Sequence, residues 1–576
     1  MRKAIYSSLS LVICAALAAS TVTTVSEDSR ILHALDRLTF GPRPGDLEQV
    51  KSLGLRKWID LQLNPKKISE NPVLLEKLRP LDTLNMTTRD LVKNYPTPQM
   101  IAQLAAGNGA YPTEPAKRRL VEVQVDQYRR ERSKDAPDRP IATFLTPEQR
   151  LTLQSGKRED KFEVLKSLSG VELDEALLFM PRRGREQLYP IVSPELRRRI
   201  QKSLGAFRII DQDLVNGKLY RAIYSNQQLV EVLADFWFNH FNIYQQKGDD
   251  RFMVPAYERE VIRPHVLGKF RDLLLATAQS PAMLIYLDNY QSVAEGTARG
   301  RKKRARPNDG EKHGLNENYA RELMELHTMG VDGGYTQKDV TEVARCFTGW
   351  TVKNPAEGGG FEFDRATHDN GAKVVLDVRI PKGGGMQDGL KVLDVLIHHR
   401  STAHFISRKL AIRFVSDNPP KSLVDRMAQT FTKSGGDIRE VMQTMLDSDE
   451  FWSEKTYRTK MKSPLEMVAS AVRALGSDVD YADALADKIA EAGEPLYKKQ
   501  EPTGYSNSSE EWLNTASLLA RMNFGLALAG NRISGVKPPD PKMLDHLASL
   551  QPGADPKPDP VKAAGLYLGG PEFQRK

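Results

Sequence analysis

Cysteine is scarce in this sequence, with only Cys14 and Cys346 in 576 residues. Cleavage of residues 1–18 as a signal peptide leaves Cys346 alone and excludes an intramolecular disulfide. Stability must then come from packing, which a chain of this length can supply because larger domains bury a larger fraction of their surface. Cys346 lies among apolar residues in a helical pattern, which is typical of an inert buried thiol.

Long hydrophobic runs are also missing. The apolar run near the N-terminus covers about residues 9–19, which is short of the ~20 residues that a bilayer-spanning helix needs. We therefore predict no transmembrane span. Because Arg2 and Lys3 precede this run and small residues occur at 16–18, the pattern is that of a cleaved secretory signal peptide over residues 1–18. The sequence thus predicts a secreted or periplasmic protein.

The chain lacks a strong charge of one sign. It has 83 Lys and Arg against 74 Asp and Glu, a formal net charge of +9. A dedicated nucleic-acid binder concentrates basic residues on one domain, so we predict no nucleic-acid partner. The basic runs at 117–119 and 197–199 lie among acidic residues and favour solvated helix faces over a polyanion site.

The familiar catalytic signatures are absent as well. The sequence has no G-x-S-x-G, H-E-x-x-H, C-x-x-C or Walker motif, and no G-x-G-x-x-G after a predicted strand. These absences argue against the well-known hydrolase and nucleotide-binding classes.

Apolar residues recur mostly at helical spacing. Thr336 is placed to cap the N–H of Asp339, and apolar residues at three- and four-residue intervals follow as far as about Thr348. Further helices are predicted at Gln228–Phe238, Glu258–Ala278, Asn316–Met329, Gly389–His398, Thr402–Val415, Ile438–Asp447, Pro464–Leu475 and Glu510–Leu526. The predicted fold class is mainly α, a large multi-helix body with a small β-hairpin element.

The predicted hairpin consists of Phe361–Phe363 and Lys373–Leu376, because Asn370-Gly371 between them is a turn-forming pair. We predict one large helical unit over residues 31–576, with a charged helical insertion at about 90–202. A basic stretch at 301–306 lies in a glycine-containing loop.

The densest polar cluster is the predicted helix Asn316–Met329. Its bland interpretation is an ion-pair ladder of Glu317, Arg321 and Glu325 at four-residue spacing. Its functional interpretation is a helix that holds a metal ion or an acid–base pair. Under that interpretation, Glu322 and His327 are catalytic, Arg321 binds ligand and Glu325 binds metal.

A second cluster surrounds the predicted hairpin turn. An imidazole, a carboxylate and an ammonium group at one tight turn can bind an anionic or hydroxylated ligand, although Asp369 can equally be an ordinary turn former. The candidates are His368 and Asp369 as catalytic residues, with Lys373 and Trp350 as binding residues.

The third cluster is the aromatic stretch Asp235–Phe241. Aromatic residues at this density favour a core segment, in which Asn239 and His240 need buried hydrogen-bond partners. We predict Asn239 as a binding residue, and His240 and His404 as metal ligands. A divalent metal ion therefore enters as a cofactor hypothesis.

Several of these segments together resemble one family. They are Leu38-Thr39-Phe40-Gly41-Pro42, Phe236-Trp237-Phe238-Asn239-His240-Phe241, Leu287-Asp288-Asn289, Asn316-Glu317-Asn318-Tyr319-Ala320-Arg321-Glu322-Leu323, Phe347-Thr348-Gly349-Trp350 and His368-Asp369. By these motifs the chain is similar to the bacterial family called domain of unknown function 1800, from about Ile31 to the C-terminus. The resemblance implies an exported, mainly helical protein, often encoded beside a second exported family that is similar to sulfatases. It implies no known activity.

Two functional hypotheses follow. The first is an exported binding or assembly factor that acts with a partner, such as that sulfatase-like protein, on a cell-surface or extracellular polymer. The alternative is a hydrolase, metal-assisted in one version, in which a His/Glu/Asp cluster lines a helical cleft. The second hypothesis requires His240, His327, His368 and His404 to meet in one cavity.

Overall fold

A computed structural model describes residues 26–113, 115–132, 141–205, 207–295, 314–552 and 559–576. The predicted signal peptide and the basic stretch 301–306 lie outside these ranges. Within them, no helix is both long enough and apolar enough to cross a membrane.

Helices form most of the described structure, as predicted. The first half of the chain contains helices Glu27–Leu38, Asp46–Leu53, Leu55–Leu63, Pro72–Leu78, Thr88–Asn94, Pro98–Ala105, Pro115–Arg132, Pro147–Ser155, Arg158–Lys166, Gly170–Phe179, Arg182–Glu186, Pro194–Leu204, Arg208–Tyr224, Gln228–His240, Asp250–Ala256, Phe270–Ala278 and Pro281–Tyr286. The second half contains Asn318–Glu322, Gln337–Phe347, Met386–His398, Arg400–Phe414, Lys421–Lys433, Ile438–Leu446, Pro464–Ala474, Asp483–Glu491, Thr515–Ala529, Pro541–Ser549, Pro560–Gly569 and Pro571–Gln574.

The helix predicted from the Thr336 cap is confirmed. It spans Gln337–Phe347, and Thr336 and Asp339 form a reciprocal capping box that satisfies free N–H groups of the first turn. Thr348 ends it. This helix carries Thr341 and Arg345.

The predicted helix Asn316–Met329 is regular only in its first half. After Asn318–Glu322 the backbone widens into a π-helical turn, Leu323–Thr328, in which the N–H of Met329 bonds to the carbonyl of Met324 at 2.8 Å. Such turns place one extra residue in the helix and are frequent at functional sites.

The predicted helix Glu258–Ala278 is also interrupted. A π-helical turn occupies Tyr257–Ile262, a 3-10 turn follows, and the regular helix Phe270–Ala278 begins only later. Pro264 has no N–H to donate and its ring crowds the preceding turn, which favours a break in the helix at this point.

The β-structure consists of two short antiparallel hairpins, so the predicted pairing of Phe361–Phe363 with Lys373–Leu376 is wrong. Strand β1, Trp350–Val352, pairs with β2, Phe361–Phe363, with Trp350 opposite Phe363. Strand β3, Lys373–Val375, pairs with β4, Val378–Ile380. Leu376 and Asp377 adopt left-handed conformations and fold β3 back onto the residues that follow it. Asn370-Gly371 therefore lies between the hairpins.

The main hydrophobic core joins distant parts of the chain, from Ala34 to Phe573. Residues between 142 and 200 form a separate, smaller cluster that includes Leu153 and Leu177. Arg198 connects this region to the rest through a 2.6 Å hydrogen bond to buried Asp213. The division into one unit with an insertion stays a prediction.

Candidate functional site

A cavity of about 620 Å³ lies beside the helix Gln337–Phe347. The segment between the two hairpins also lines it, as do Ala294, Glu295 and Leu315 on either side of residues 296–313. Its polar lining residues are Glu295, Thr341, Arg345, His368, Asp369 and Asn370. Two predicted site residues, His368 and Asp369, therefore meet at one cavity.

Arg345 and Asp369 form the charged wall of this cavity. The Arg345 Nε lies 2.8 Å from the Asp369 carboxylate, and Glu342 binds the other side of the guanidinium at 2.8 Å. The pKa of Arg345 is raised, chiefly by the hydrogen bond to Asp369. Burial is the largest single influence and raises the pKa of Asp369. Hydrogen bonds from Arg345 and Gly371 and the charges of Arg345 and Lys373 together outweigh burial and hold this pKa below its ordinary value. Both groups are therefore charged and fixed in orientation.

His368 lies at the inner wall of the cavity and is 3% exposed. Its Nδ1 is 2.7 Å from the backbone oxygen of Thr348, and its Nε2 is 3.2 Å from Oδ2 of Asp388. A backbone carbonyl and a carboxylate both accept hydrogen bonds. Both ring nitrogens therefore lie against acceptor oxygens of the protein.

Lys373 completes a buried cluster with His368 and Asp388. Its ammonium donates to Asp388 Oδ2 at 2.7 Å and to the backbone oxygens of Asp369 and Gly371. The side chains of Lys373 and Asp388 are almost fully buried. The predicted binding residue Lys373 thus closes the turn that presents Asp369, rather than lining the cavity.

The order Thr348, His368, Asp388 is similar to a hydroxyl–imidazole–carboxylate relay. The Thr348 Oγ1 lies 3.3 Å from Nδ1 of His368. However, this hydroxyl donates to the backbone oxygen of Arg345 at 2.7 Å and accepts the N–H of Asp369 at 2.9 Å, and Thr348 is completely buried. The relay therefore has no free nucleophile and serves to hold the turn.

Trp350, predicted to bind ligand, is completely buried. Its ring packs edge-on against Phe347 and Phe361, and its contact with Gly389 is so close that a Cβ there would lie 2.6 Å from the indole. The side chain belongs to the core beneath the first hairpin.

His240 and His327 form a second place where predicted residues meet. The Nε2 of His240 donates to the backbone oxygen of His327 at 3.0 Å, and the two ring centroids are 6.3 Å apart. Burial, with a contribution from Lys409, lowers the pKa of His327 to about 3 and that of His240 well below its ordinary value. Both rings are thus neutral at neutral pH.

The ladder on the predicted helix Asn316–Met329 is only half formed. Arg321 lies 3.6 Å from Glu317, whereas Glu325 accepts a hydrogen bond from Tyr335 at 3.3 Å. The π-helical turn explains this, because the extra residue rotates Glu325 away from Arg321. Burial and the neighbouring Glu325 raise the pKa of Glu322.

The last two candidates have separate partners. His404 is half-exposed and contacts Asp425 at 2.6 Å, and Asn239 accepts the N–H of Tyr505 at 3.3 Å. Among the described residues, no hydrogen bond or ring contact joins His368 or His404 to the pair His240 and His327. The four histidines that the hydrolase hypothesis requires in one cavity are therefore not in contact as one group.

The predicted metal ligands do not come together as a set of donor side chains within the described residues. In the described ranges, no group of three or more His, Cys, Asp or Glu side chains is arranged to hold a metal ion. His240, Glu325 and His404 stay predicted ligands only, because each lies in different surroundings.

Sequence reasoning missed Arg345 and Asp388, which organise the cavity wall. Asp388 is in the first turn of the helix Met386–His398, where an acidic residue is ordinary. Arg345 follows Glu342 by three residues, which is typical of a surface ion pair. Neither position carries a local signal of its long-range partner.

No curated protein and no solved structure matches this chain. One family model matches residues 33–575, almost the entire sequence. The chain therefore belongs to the family described as protein of unknown function DUF1800.

Proposed function

We propose that this chain is an exported binding factor that acts, with a partner, on a cell-surface or extracellular polymer. The cavity beside Arg345 and Asp369 binds hydroxylated groups of that polymer. The partner proposed from the family resemblance is a co-encoded, exported, sulfatase-like protein.

The observation that best supports this proposal is the fixed pair of Arg345 and Asp369 at the cavity. A hydroxyl group both donates and accepts hydrogen bonds, and a guanidinium beside a carboxylate offers it both. Thr341 and Asn370 add a hydroxyl and an amide to the same lining. Because Glu342 and Gly371 also bind the pair, these side chains are already ordered, and ligand binding costs little conformational entropy.

The same contacts favour binding over proton transfer. Both nitrogens of His368 are engaged, and Asp369 is bound by Arg345. A general acid or base works best with a pKa near the operating pH, whereas the pKa of Asp369 is held below its ordinary value by its hydrogen bonds and the neighbouring cations.

Hydrolysis is the second candidate function, favoured by one observation at Glu322. Its carboxyl is half-buried beside Glu325 and its pKa is raised, which is how a carboxyl group becomes a general acid. Under this alternative, Glu322→Gln abolishes release of new reducing ends from the polymer, while Asp369→Asn leaves the rate constant unchanged.

The test is calorimetric titration of the full chain with neutral, uronate-bearing and sulfated oligosaccharides. We expect one class to bind and Asp369→Asn to weaken it at least about tenfold, because a charge-assisted hydrogen bond is worth ~1.5–3 kcal/mol. The matched control is Asp394→Asn. Asp394 forms a 2.7 Å ion pair with Arg271, and neither residue lines the cavity. Absence of binding by all three classes, or equal affinities of Asp369→Asn and the parent, contradicts the proposal.

A further inference from the structure

A second cavity, of about 530 Å³, lies between the helices Thr88–Asn94 and Pro98–Ala105 and the 3-10 turn Pro355–Glu357. Its volume is within the ~300–1,000 Å³ of small-ligand sites. It shares no lining residue with the cavity at Arg345.

The floor of this cavity is apolar. Val92 and Leu104 are buried, and Met100, which lines the cavity with them, is partly buried. Pro96 and Pro112 extend the same lining. A floor of this composition gains free energy when it covers an apolar chain, at ~0.8 kcal/mol for each buried methylene.

Two cations stand on one side of the cavity. Arg89 and Lys93 are four residues apart on one helix, so their side chains lie on the same face, and both line the cavity. Both are exposed, and among the described residues neither has an ion-pair or hydrogen-bond partner. The one acidic lining residue, Glu357, is bound by the Asn354 amide at 3.3 Å.

Gly358 fastens the opposite wall. It has a positive φ of 69°, and a Cβ at this position would lie 2.7 Å from the backbone nitrogen of Arg89. The turn Pro355–Glu357 therefore rests directly on the backbone of the helix that carries both cations. This close approach makes the cavity a built feature of the fold.

We infer that this cavity binds an anionic amphiphile, with an acyl chain on Val92, Met100 and Leu104 and its carboxylate or phosphate between Arg89 and Lys93. Two unpaired cations beside an apolar floor complement a ligand with one anionic end and one apolar end. The inference is independent of the polymer-binding function. The ligand can come from free fatty acid or from a membrane lipid.

Chain length and head group provide the first test. Octanoate, decanoate and dodecanoate, kept below micelle-forming concentrations, are titrated into the full chain. We expect affinity to rise about tenfold for every two added methylenes. Dodecanol and dodecyltrimethylammonium should bind at least about tenfold more weakly than dodecanoate. Equal affinities for all three head groups, or no dependence on chain length, overturn the inference.

A charge variant gives the second test. In Arg89→Gln/Lys93→Gln we expect dodecanoate to bind at least about tenfold more weakly, with unchanged dodecanol binding. Because both side chains are exposed and unpaired, the variant should fold as the parent does, which its circular dichroism checks. The control Lys57→Gln/Lys433→Gln removes two exposed lysines elsewhere. Equal losses of dodecanoate affinity in both double variants contradict the proposed site, because they would show that the net charge of the protein alone determines binding.

Vesicles separate the two sources. Co-sedimentation with phosphatidylglycerol vesicles, but not phosphatidylcholine vesicles, that is lost in the Arg89/Lys93 variant identifies membrane lipid as the ligand. Binding of dodecanoate without co-sedimentation identifies free acid. Failure to bind either dodecanoate or phosphatidylglycerol vesicles overturns the inference and leaves oligosaccharide binding untouched.

Discussion

The ammonium of Lys373 donates a 2.7 Å hydrogen bond to the carboxylate of Asp388, and both side chains are almost fully buried. Through this pair the second hairpin is tied to the start of the helix Met386–His398. His368, which precedes both in the chain, is bound to the same carboxylate oxygen and is thereby held at the cavity wall.

Removing one partner of this pair should be costly. Lys373→Met leaves Asp388 buried with one fewer cation, so we expect the free energy of unfolding to fall by about 3–5 kcal/mol, measured by urea denaturation. Lys421→Met is the control, because the Lys421 side chain is 82% exposed and pairs with Asp425 at the surface. That change should cost less than about 1 kcal/mol. Equal effects contradict a buried structural pair.

His327 should make the protein less stable in acid. Its pKa is lowered by burial to about 3, whereas an unfolded histidine titrates near 6.5. Between these values the unfolded state binds more protons, so stability is lost as the pH falls below about 6.5 and the loss approaches 3 kcal/mol at about pH 4. In His327→Gln this part of the pH dependence should disappear.

Denaturation curves at several pH values measure that difference. Other buried groups titrate in both proteins, so the difference between parent and variant isolates His327. His398→Gln, at an exposed position, should keep the full pH dependence. Parallel curves for the parent and His327→Gln would contradict the prediction.

Gly389 should not tolerate a methyl group. An added Cβ would lie 2.6 Å from Trp350, and overpacking a dense core costs about 1–3 kcal/mol. Gly389→Ala should therefore lower the free energy of unfolding by that amount. Gly360→Ala meets open space and should change it by less than about 0.5 kcal/mol. A neutral Gly389→Ala would show that the indole can shift.

Arg345 should control the ionisation of Asp369. Because hydrogen bonds from Arg345 lower the pKa of that carboxyl while burial raises it, Arg345→Met should raise the pKa. Carboxyl carbon chemical shifts followed through a pH titration measure it. The control Arg365→Met removes an arginine four residues before Asp369 in the sequence. Among the described residues, Arg365 forms no hydrogen bond or ion pair with Asp369, so this change should leave the pKa of Asp369 unchanged. Equal shifts in both variants contradict the assignment.

Local patterns predicted the helical fold well, and long-range partners decided the rest. The cap at Thr336 and the helix after it depend on neighbours within a few residues, so periodicity and capping chemistry suffice. The strand pairing failed because Leu376 and Asp377 take positive φ values without the glycine that usually signals them.

The candidate site was predicted in part for the same reason. His368 and Asp369 do meet at a cavity, but their partners Asp388 and Arg345 are about 20 residues away or more along the chain. The hydrolase hypothesis requires four of the histidines to converge, which assumes that buried imidazoles share one centre. His368 instead binds a carbonyl and a carboxylate, and His240 binds a carbonyl. The buried Nε2 of His327 has no hydrogen-bond partner among the described residues.

The π-helical turn at Leu323–Thr328 has a practical consequence. A synthetic peptide with this sequence, freed from the contacts of His327 and Thr328, has no reason to keep an extra residue in one turn and should relax to an ordinary helix or to coil. Antibodies raised against such a peptide would thus recognise a conformation that the folded protein does not display.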